Sequence, residues 1–330
     1  MLGFVVEVEG DLVSRRGRDG TGIGNDRRMA HRREPASGRD GRVPSEHGIS
    51  AKVRLSERTT FKIGGEACEY HEPQSIEEFL VLLERLSSDG REPFILGGGA
   101  NVLFPDGSYS RPVVSTTGLN EIRVFDERME VGAGVRLNAL IRSAINAGLG
   151  GLEVFVGIPG TCGGAVTMNA GGRGWTFGQR VESLLVVPRE GGKVVRLKGA
   201  EVDWTYRSSN LGDAVVLSAT LKLRADHPRN LRCAAGDFMR RKVATQPYHT
   251  PSAGCIFRNP EGASAGELIE RLGMKGYACG GARISSRHAN FIINETGVAR
   301  SEDVKQLIQD VRARVAREFG IRLETEVVFA

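Results

Sequence analysis

The sequence lacks the features that mark a membrane protein or a disulfide-bonded secreted protein. No apolar run in its 330 residues approaches the ~20 residues that a membrane-spanning helix requires. The N-terminus has no compact apolar stretch of the kind found in a secretory signal. The five cysteines are scattered and include no CxxC pair, which argues against a disulfide framework and against a zinc site. We therefore expect a cytoplasmic protein without a metal.

The chain is also low in net charge and has no internal repeat. Its formal charge is +5, from 45 basic and 40 acidic residues, and the excess is not gathered into a Lys/Arg block. A nucleic-acid or membrane partner is therefore not expected, whereas small phosphorylated ligands suit a mildly basic protein. The hydrophobic content of 40% is ordinary for a globular protein, and the length suits two domains.

Residues 1–48 differ in composition from the rest of the chain. Arginines alternate there with Asp, Glu and Gly without helical or strand periodicity, so we expect disorder. A mis-assigned translation start and a basic targeting arm are the alternatives, and the interspersed acidic residues argue against the arm. A polar passage at 226–230 indicates a boundary, so the expected domains are 49–226 and 227–330.

Hydrophobic periodicity predicts a mixture of helices and strands after residue 53. Ser75 followed by Glu78 is a capping box that opens an amphipathic helix. An apolar strand at 94–96 runs directly into three glycines. Near the C-terminus, Ser301 is expected to cap a long helix that ends at Gly320.

Glycine is concentrated in three clusters of the first domain. Residues 157–172 contain six glycines in 16 positions, a density that a packed helix or strand does not tolerate. Flanking Val and Ile residues argue against a flexible linker. The other clusters, TTFKIGG at 59–65 and LGGGANVL at 96–103, match neither a P-loop nor a GxGxxG turn that opens a helix. Together they predict a dinucleotide held by exposed N–H groups of strand-to-loop turns.

Three further segments contain candidate reactive side chains. Arg207, beside an aromatic residue and hydroxyls, suits a carboxylate or a phosphate, although the local sequence alone slightly favours an exposed strand end. Cys255 is interpreted either as a reachable thiol or as a buried inert one. Glu324 and Glu326 lie on one face of a strand and are expected to differ in depth.

In this order, the segments resemble the UDP-N-acetylenolpyruvoylglucosamine reductase family, the flavoenzymes of peptidoglycan precursor synthesis. The resemblance runs from Arg54 to Phe329 and is carried by TTFKIGG, LGGGANVLF, GIPGTCGGAVTMNAGG, YRSS, AGCIFRNP, GGARISSRHANFIIN and LETEV. It implies an α+β fold, with a two-part FAD-binding domain of the vanillyl-alcohol-oxidase (PCMH) type followed by a smaller α+β substrate-binding domain. It also implies that FAD and NADPH reduce UDP-N-acetylglucosamine enolpyruvate to UDP-N-acetylmuramate.

The resemblance assigns roles to individual residues. Arg207, Cys255 and Glu326 are the implied catalytic residues, with Cys255 as proton donor where the family often has serine. Tyr206 and Asn259 are implied substrate contacts. A short spacing after Asn259 resembles the family variant that lacks an extra substrate-covering loop. The expected FAD contacts lie in the glycine clusters: Thr60, Gly64, Gly97, Gly98, Gly99, Ala100, Asn101, Val102, Gly157, Pro159, Gly160, Gly163, Gly164, Asn169, Ala170 and Gly171.

The implied chemistry explains these residue types. Hydride addition to the enolpyruvyl double bond places negative charge on the adjoining carboxylate, which Arg207 can stabilise. Glu326 can help only if burial raises its pKa. Arg207 and Arg258 would lower the pKa of Cys255 and burial would raise it, and the sequence does not decide between them.

Two other hypotheses are consistent with the glycine clusters. An FAD-dependent oxidase of a sugar or an alcohol would use the same type of flavin domain, but the sequence has no recognisable flavin-tethering His or Cys motif. That hypothesis also leaves the C-terminal segments unexplained. A non-catalytic nucleotide-binding or scaffold protein would be colourless, so the absence of flavin distinguishes it.

Overall fold

A computed structural model describes residues 53–172 and 174–330. The expectations for residues 1–48 lie outside this part of the chain. The described residues form six α-helices, α1 Ile76–Ser88, α2 Leu137–Asn146, α3 Cys162–Thr167, α4 Pro228–Thr245, α5 Ala265–Arg271 and α6 Ser301–Phe319. Short 3-10 helices span Leu55–Arg58, Glu153–Phe155, Phe177–Arg180 and Gly199–Glu201. Together with the strands below, they confirm the predicted α+β fold.

The predicted helix ends are confirmed except at one position. The Ser75 hydroxyl accepts an N–H of the first turn of α1 at 3.2 Å, and Gly320 ends α6 with a φ of +69°. The N-cap of α6 is Arg300, whereas Ser301 was expected there. The reason is that the Asp303 carboxylate reaches back to the N–H of Arg300 at 3.0 Å, which leaves Ser301 inside the helix.

The first part of the chain contains a five-stranded antiparallel sheet and two three-stranded sheets. The strand order of the large sheet is Val195–Lys198, Val181–Pro188, Ala214–Lys222, Arg128–Gly132 and Ile122–Phe125. One small sheet contains Val53–Arg54, Glu66–Ala67 and Ser108–Tyr109, and the other contains Tyr70–His71, Val113–Ser115 and Phe94–Leu96 with its strands parallel. The strand that precedes the LGGG cluster is therefore held in a parallel sheet.

The C-terminal part is built on a four-stranded antiparallel sheet. Its strand order is Ser252–Cys255, Phe291–Ile293, Ala282–Ile284 and Ala278–Cys279. Two-residue strands pair as Leu149–Gly150 with Arg224–Ala225, Gly171–Gly172 with Trp175–Thr176, Trp204–Thr205 with Ser208–Ser209, and Val102–Leu103 with Val328–Phe329. The last of these pairs returns the end of the chain to the residues that follow the LGGG cluster.

The hydrophobic cores do not divide at the expected boundary. Leu231 and Ala235 of α4 are buried in the core of the first part, with α2 and the five-stranded sheet. Phe61 and Leu103 are buried in the core of the C-terminal part, with α5 and α6. We therefore propose a boundary that follows α4, since the buried face of α4 packs against the first domain.

Candidate active site

Residues of all three glycine clusters and the three implied catalytic residues line one cavity. Its volume is about 1530 Å³, above the ~300–1000 Å³ of a typical single-ligand site. Arg207, Cys255 and Glu326 lie in its wall together with the 97–102 and 157–161 segments. The cavity is therefore large enough for a dinucleotide and a second ligand.

The absence of side chains brings two glycine clusters into backbone contact. A Cβ atom on Gly98 would lie only 2.7 Å from the Cα atom of Gly160, which is closer than real Cβ atoms approach. The third cluster joins them, because the N–H of Thr60 donates to the Gly99 carbonyl at 2.9 Å. The Thr60 hydroxyl also donates to the Ser252 carbonyl at 2.8 Å. The three clusters and the strand that contains Cys255 thus form one wall.

The wall fits a flavin dinucleotide. A Cβ atom on Gly164 would meet only the Thr161 hydroxyl, at 3.7 Å, and one on Gly172 would meet no atom within 4 Å. Thr161 Oγ1 is buried and has no hydrogen-bond partner within residues 53–172 and 174–330. Bare backbone beside an unpaired hydroxyl suits a large ligand that is flat and polar.

Arg207 is held at the cavity in an uncommon backbone conformation. Its φ is +57°, a left-handed conformation that costs a non-glycine residue free energy and is concentrated at functional sites. One guanidinium nitrogen, Nη1, donates to the Gly171 carbonyl at 2.7 Å. Another, Nε, lies 3.0 Å from Oε1 of Glu326, without the alignment of a hydrogen bond. The glycine cluster and Glu326 therefore fix the orientation of this cation.

Glu326 is tied through its backbone to both halves of the site. Its N–H donates to the Ile256 carbonyl at 2.7 Å, and its carbonyl accepts from the Asn101 side chain at 3.0 Å. Burial raises the pKa of the Glu326 carboxyl, while the charges of Arg207 and Arg258 oppose this rise. The net direction is upward, which favours a protonated or proton-sharing carboxyl.

Cys255 follows an irregularity in its strand. Ser252 pairs with Ile293 and Cys255 with Phe291, so an extra residue is inserted between the two pairs. Burial, aided by the charge of Glu326, raises the pKa of the Cys255 thiol to about 12. Burial thus outweighs the opposing charge of the neighbouring arginine, and the thiol holds its proton at neutral pH.

Lys242 also lines the cavity, although no sequence pattern predicted a functional role for it. Its ammonium group donates to the Val156 carbonyl at 2.8 Å, and the described part of the chain supplies no carboxylate as an ion-pair partner. Burial, with a contribution from the charge of Arg207, lowers the pKa of Lys242 to about 8. A partly buried, unpaired cation favours an anionic ligand. The sequence shows only a basic run in a polar helix, because it is the packing of α4 that buries this residue.

The FAD contacts expected from the sequence lie in the cavity wall, with the exception of Gly64 and Asn169. Those in the wall are Thr60, Gly97, Gly98, Gly99, Ala100, Asn101, Val102, Gly157, Pro159, Gly160, Gly163, Gly164, Ala170 and Gly171. Gly64 has a φ of +136°, and a Cβ atom there would lie 2.9 Å from Phe104, so it serves the packing of a turn. The Asn169 amide bonds to the Thr205 carbonyl at 2.8 Å and to the Gly178 N–H at 3.0 Å, which holds the chain that leads to Arg207.

The two implied substrate contacts also lie outside the wall in this conformation. The side-chain oxygen Oδ1 of Asn259 accepts the N–H of Ala265 at 3.0 Å, at the start of α5. The Tyr206 side chain is 52% exposed, and its ring lies 5.5 Å from the Arg207 guanidinium group. Both residues are close in sequence to the catalytic residues, and neither lines the cavity.

Two family models match the chain. Residues 70–198 match the model of an FAD binding domain, and residues 246–330 match the model of the UDP-N-acetylenolpyruvoylglucosamine reductase C-terminal domain. The second match begins directly after α4. This start agrees with the domain boundary that we propose from the hydrophobic cores. None of the helices in residues 53–172 and 174–330 is long and apolar enough to cross a membrane.

Relatives of known name match over most of their length. The chain is 41% identical to the UDP-N-acetylenolpyruvoylglucosamine reductase of Synechococcus sp. (strain CC9605) over 280 residues, which cover 83% of this chain and 93% of the relative. The enzyme of the same name from Syntrophobacter fumaroxidans is 40% identical, over 83% of this chain and 81% of its own.

A solved structure confirms the fold. The crystal structure of UDP-N-acetylenolpyruvylglucosamine reductase from Thermus caldophilus superposes with a TM-score of 0.72 at 33% identity, covering 85% of this chain and 98% of the other. The predicted FAD-binding fold and the predicted family are confirmed by these matches. The chain belongs to the UDP-N-acetylenolpyruvoylglucosamine reductase family.

Proposed function

We propose that this protein reduces UDP-N-acetylglucosamine enolpyruvate to UDP-N-acetylmuramate, with FAD as cofactor and NADPH as electron donor, in peptidoglycan precursor synthesis. The observation that carries the proposal is the convergence of Arg207, Cys255 and Glu326 on a cavity whose wall also contains bare glycine backbone. These residues come from three separate segments, and each supplies a different chemical group to the same space.

The cofactor supplies hydride chemistry and the protein supplies charge and a proton. Bound FAD would supply hydride transfer from NADPH to the terminal carbon of the enolpyruvyl double bond. The glycine clusters and the Thr161 hydroxyl would hold the cofactor. Arg207 faces the negative charge that then develops on the substrate carboxylate, and one such preorganised donor is worth about 3–4 kcal/mol in the transition state.

Glu326 acts beside Arg207 on the same carboxylate. With its pKa raised by burial, it can donate a hydrogen bond in its protonated form and thus avoid repulsion of the anionic substrate. Its contact with Arg207 at 3.0 Å also keeps the guanidinium group directed at the cavity. Lys242 supplies a second positive charge for the anionic groups of the substrate.

Cys255 completes the reaction by donating its proton to the α-carbon. A thiol with a pKa of about 12 is fully protonated at neutral pH and remains a stronger acid than the carbon acid that it creates. The resulting thiolate then recovers a proton from solvent. Burial of the thiol therefore supports this role.

The test is a visible spectrum of the purified protein, recorded alone, after NADPH and after the enolpyruvyl substrate. We expect a flavin spectrum, bleaching by NADPH without substrate, and return of the colour when substrate is added. Cys255→Ala should bleach normally and recover its colour only slowly, whereas Cys255→Ser should retain turnover. Cys233→Ser is the control, because Cys233 is exposed on α4.

Several outcomes would contradict the proposal. A colourless protein that takes up no flavin would exclude the flavoenzyme function and favour the hypothesis of a scaffold or a non-catalytic nucleotide-binding protein. Rapid oxygen consumption with a sugar substrate would favour an oxidase. Normal turnover by Cys255→Ala would remove the thiol from the mechanism.

The proposed location is the cytoplasm, which is supported by the cysteines, all free in the described residues, because reducing compartments keep thiols unpaired.

A further inference from the structure

Two buried asparagines bracket the short strand Phe291–Ile293 next to the active site. Asn290 precedes the strand and Asn294 follows it, with 4% and 0% of their surface exposed. Both belong to the RHANFIIN motif, to which the proposed chemistry gives no role. A buried amide must satisfy a donor and an acceptor, so the partners of each side chain indicate what it holds.

The Asn290 side chain holds the segment that follows the proton donor. Its Oδ1 accepts the N–H of Phe257 at 2.9 Å, and its Nδ2 donates to the Phe257 carbonyl at 2.8 Å. Its own carbonyl accepts the N–H of Ile256 at 2.8 Å. The backbone one and two residues beyond Cys255 is thereby fixed.

The same segment also positions Glu326. Phe257 forms an antiparallel bridge with Thr325, and the N–H of Glu326 donates to the Ile256 carbonyl at 2.7 Å. Asn290 therefore holds the backbone of residues 256 and 257. This backbone directly follows Cys255 and bonds to the N–H of Glu326.

The Asn294 side chain holds a turn in the first glycine cluster. Its Nδ2 lies 3.2 Å from the Phe61 carbonyl and 3.3 Å from the Lys62 carbonyl, while its Oδ1 accepts the N–H of Ala299 at 3.1 Å. Lys62 has a φ of +58°, which only surrounding contacts can maintain in a residue that is not glycine. Lys62 and nearby Thr60 line the cavity.

We propose that Asn290 and Asn294 are positioning residues that set the proton donor and the cofactor loop at a fixed separation, with the strand between them as a rigid spacer. This inference rests on the proposed function. Two further contacts connect the cofactor loop to the strand of the proton donor. Ser252 pairs with Ile293, and the Thr60 hydroxyl donates to the Ser252 carbonyl at 2.8 Å.

The residue type at each position follows from this geometry. At position 290 a carboxylate could accept the Phe257 N–H but could not donate to the Phe257 carbonyl, and an apolar side chain would leave both groups unpaired. Asn290→Asp therefore recovers the missing donor only when its carboxyl is protonated. The variant should approach wild-type behaviour as the pH falls.

The experiment compares Asn290→Ala with Asn294→Ala by FAD affinity and by the rate at which substrate reoxidises the reduced flavin. In Asn290→Ala we expect reoxidation to slow by about 10- to 100-fold, because the proton donor is misplaced, while FAD affinity stays within about twofold. In Asn294→Ala we expect FAD affinity to fall about tenfold, through loss of a buried hydrogen-bonding group.

Alkylation of Cys255 by iodoacetamide provides a readout that needs no turnover. Its rate should rise in Asn290→Ala, because the thiol loses its fixed position in the cavity wall, and should stay near the wild-type rate in Asn294→Ala. A protein that binds no flavin at all would defeat the proposed function, whereas this alkylation result would still support or contradict the role of Asn290.

Ser285→Ala is the matched control for lost stability. Ser285 is 2% exposed, and its hydroxyl accepts the N–H groups of Arg287 and His288 at 3.1 and 3.4 Å. Its loss should lower the free energy of unfolding without changing either readout.

If an alanine variant does not fold, Asn290→Asp and Asn294→Asp, which each retain an acceptor, take its place. Equal losses of FAD affinity and reoxidation in both asparagine variants, or no loss in either, would overturn the proposal.

Discussion

Nε of Arg207 lies 3.0 Å from Oε1 of Glu326, and this contact joins a strained turn of the first part to the C-terminal segment. Both side chains are largely buried, with 20% and 14% of their surface exposed. A contact between a cation and a carboxyl group that is shielded from water in this way orients its members more strongly than a surface contact does. The pair thus links the cofactor half of the site to the proton-donor half.

Arg207→Lys should separate the charge of this residue from its geometry. A lysine keeps one positive charge but cannot bond to the Gly171 carbonyl and face Glu326 at the same time, because it lacks the planar fork. We expect reoxidation of reduced flavin by substrate to slow by about 10²- to 10³-fold, with bleaching by NADPH unchanged. Stopped-flow absorbance measures both steps, and Arg283→Lys on an exposed strand position is the control. Equal slowing of both steps would contradict the assignment.

The pKa of the Cys255 thiol predicts its reactivity. Burial raises this pKa to about 12, so the reactive thiolate is scarce and its amount rises about tenfold for each pH unit between 7 and 9. We expect iodoacetamide to modify Cys255 far more slowly than the exposed Cys68 and Cys233, with a rate that climbs across this range. Peptide mass spectrometry quantifies each site in one sample. Rapid modification at pH 7 would show that the thiol is not buried as described.

Lys242→Met should stabilise the protein and weaken substrate binding. Burial lowers the pKa of Lys242 from 10.5 to about 8, so the unfolded chain binds more protons than the folded protein between these values. The free energy of unfolding therefore rises with pH from about 8 to 10.5 in the wild type, and this rise should be absent in the variant.

At pH 7 the variant should be more stable by about 1–3 kcal/mol, since a buried charge is removed. Urea unfolding at pH 7 and pH 10 measures this difference, and steady-state kinetics should show a raised KM for the anionic substrate. Lys305→Met on α6 is the control, because Lys305 is only partly buried, pairs with Glu302 at the surface and does not line the cavity. Lower stability of Lys242→Met at pH 7 would contradict the predicted cost of burial.

Two glycine-to-alanine changes should have opposite effects on stability. In Gly98→Ala the new methyl group would lie 2.7 Å from the Cα atom of Gly160, so both stability and FAD binding should fall. In Gly164→Ala the methyl group would meet only Thr161, at 3.7 Å, and helix α3 gains about 1 kcal/mol of propensity. That variant should unfold at a higher temperature without FAD but bind FAD more weakly, because the methyl group enters the cavity. Thermal unfolding with and without FAD measures both effects.

Local patterns predicted the elements better than they predicted the site. The Ser75 cap and the Gly320 end of α6 depend on residues within one helical turn, so they were predicted correctly. The N-cap of α6 was predicted one residue too late, because the Asp303 carboxylate, three positions after Arg300, bonds to the Arg300 N–H and makes Arg300 the cap. Lys242 was missed, since its burial depends on how α4 packs against a loop far away in the sequence.

The sequence by itself determined which chemical groups the protein has and where its backbone is left bare. Those properties follow from residue identity and short-range spacing, as in the three glycine clusters and the AGCIFRNP segment. Only the tertiary structure decided which groups meet: it placed Glu326 beside Arg207, assigned α4 to the first core and let burial set the pKa of Cys255. Distances and solvent exclusion arise from packing between segments that are far apart in the sequence, which no local pattern contains.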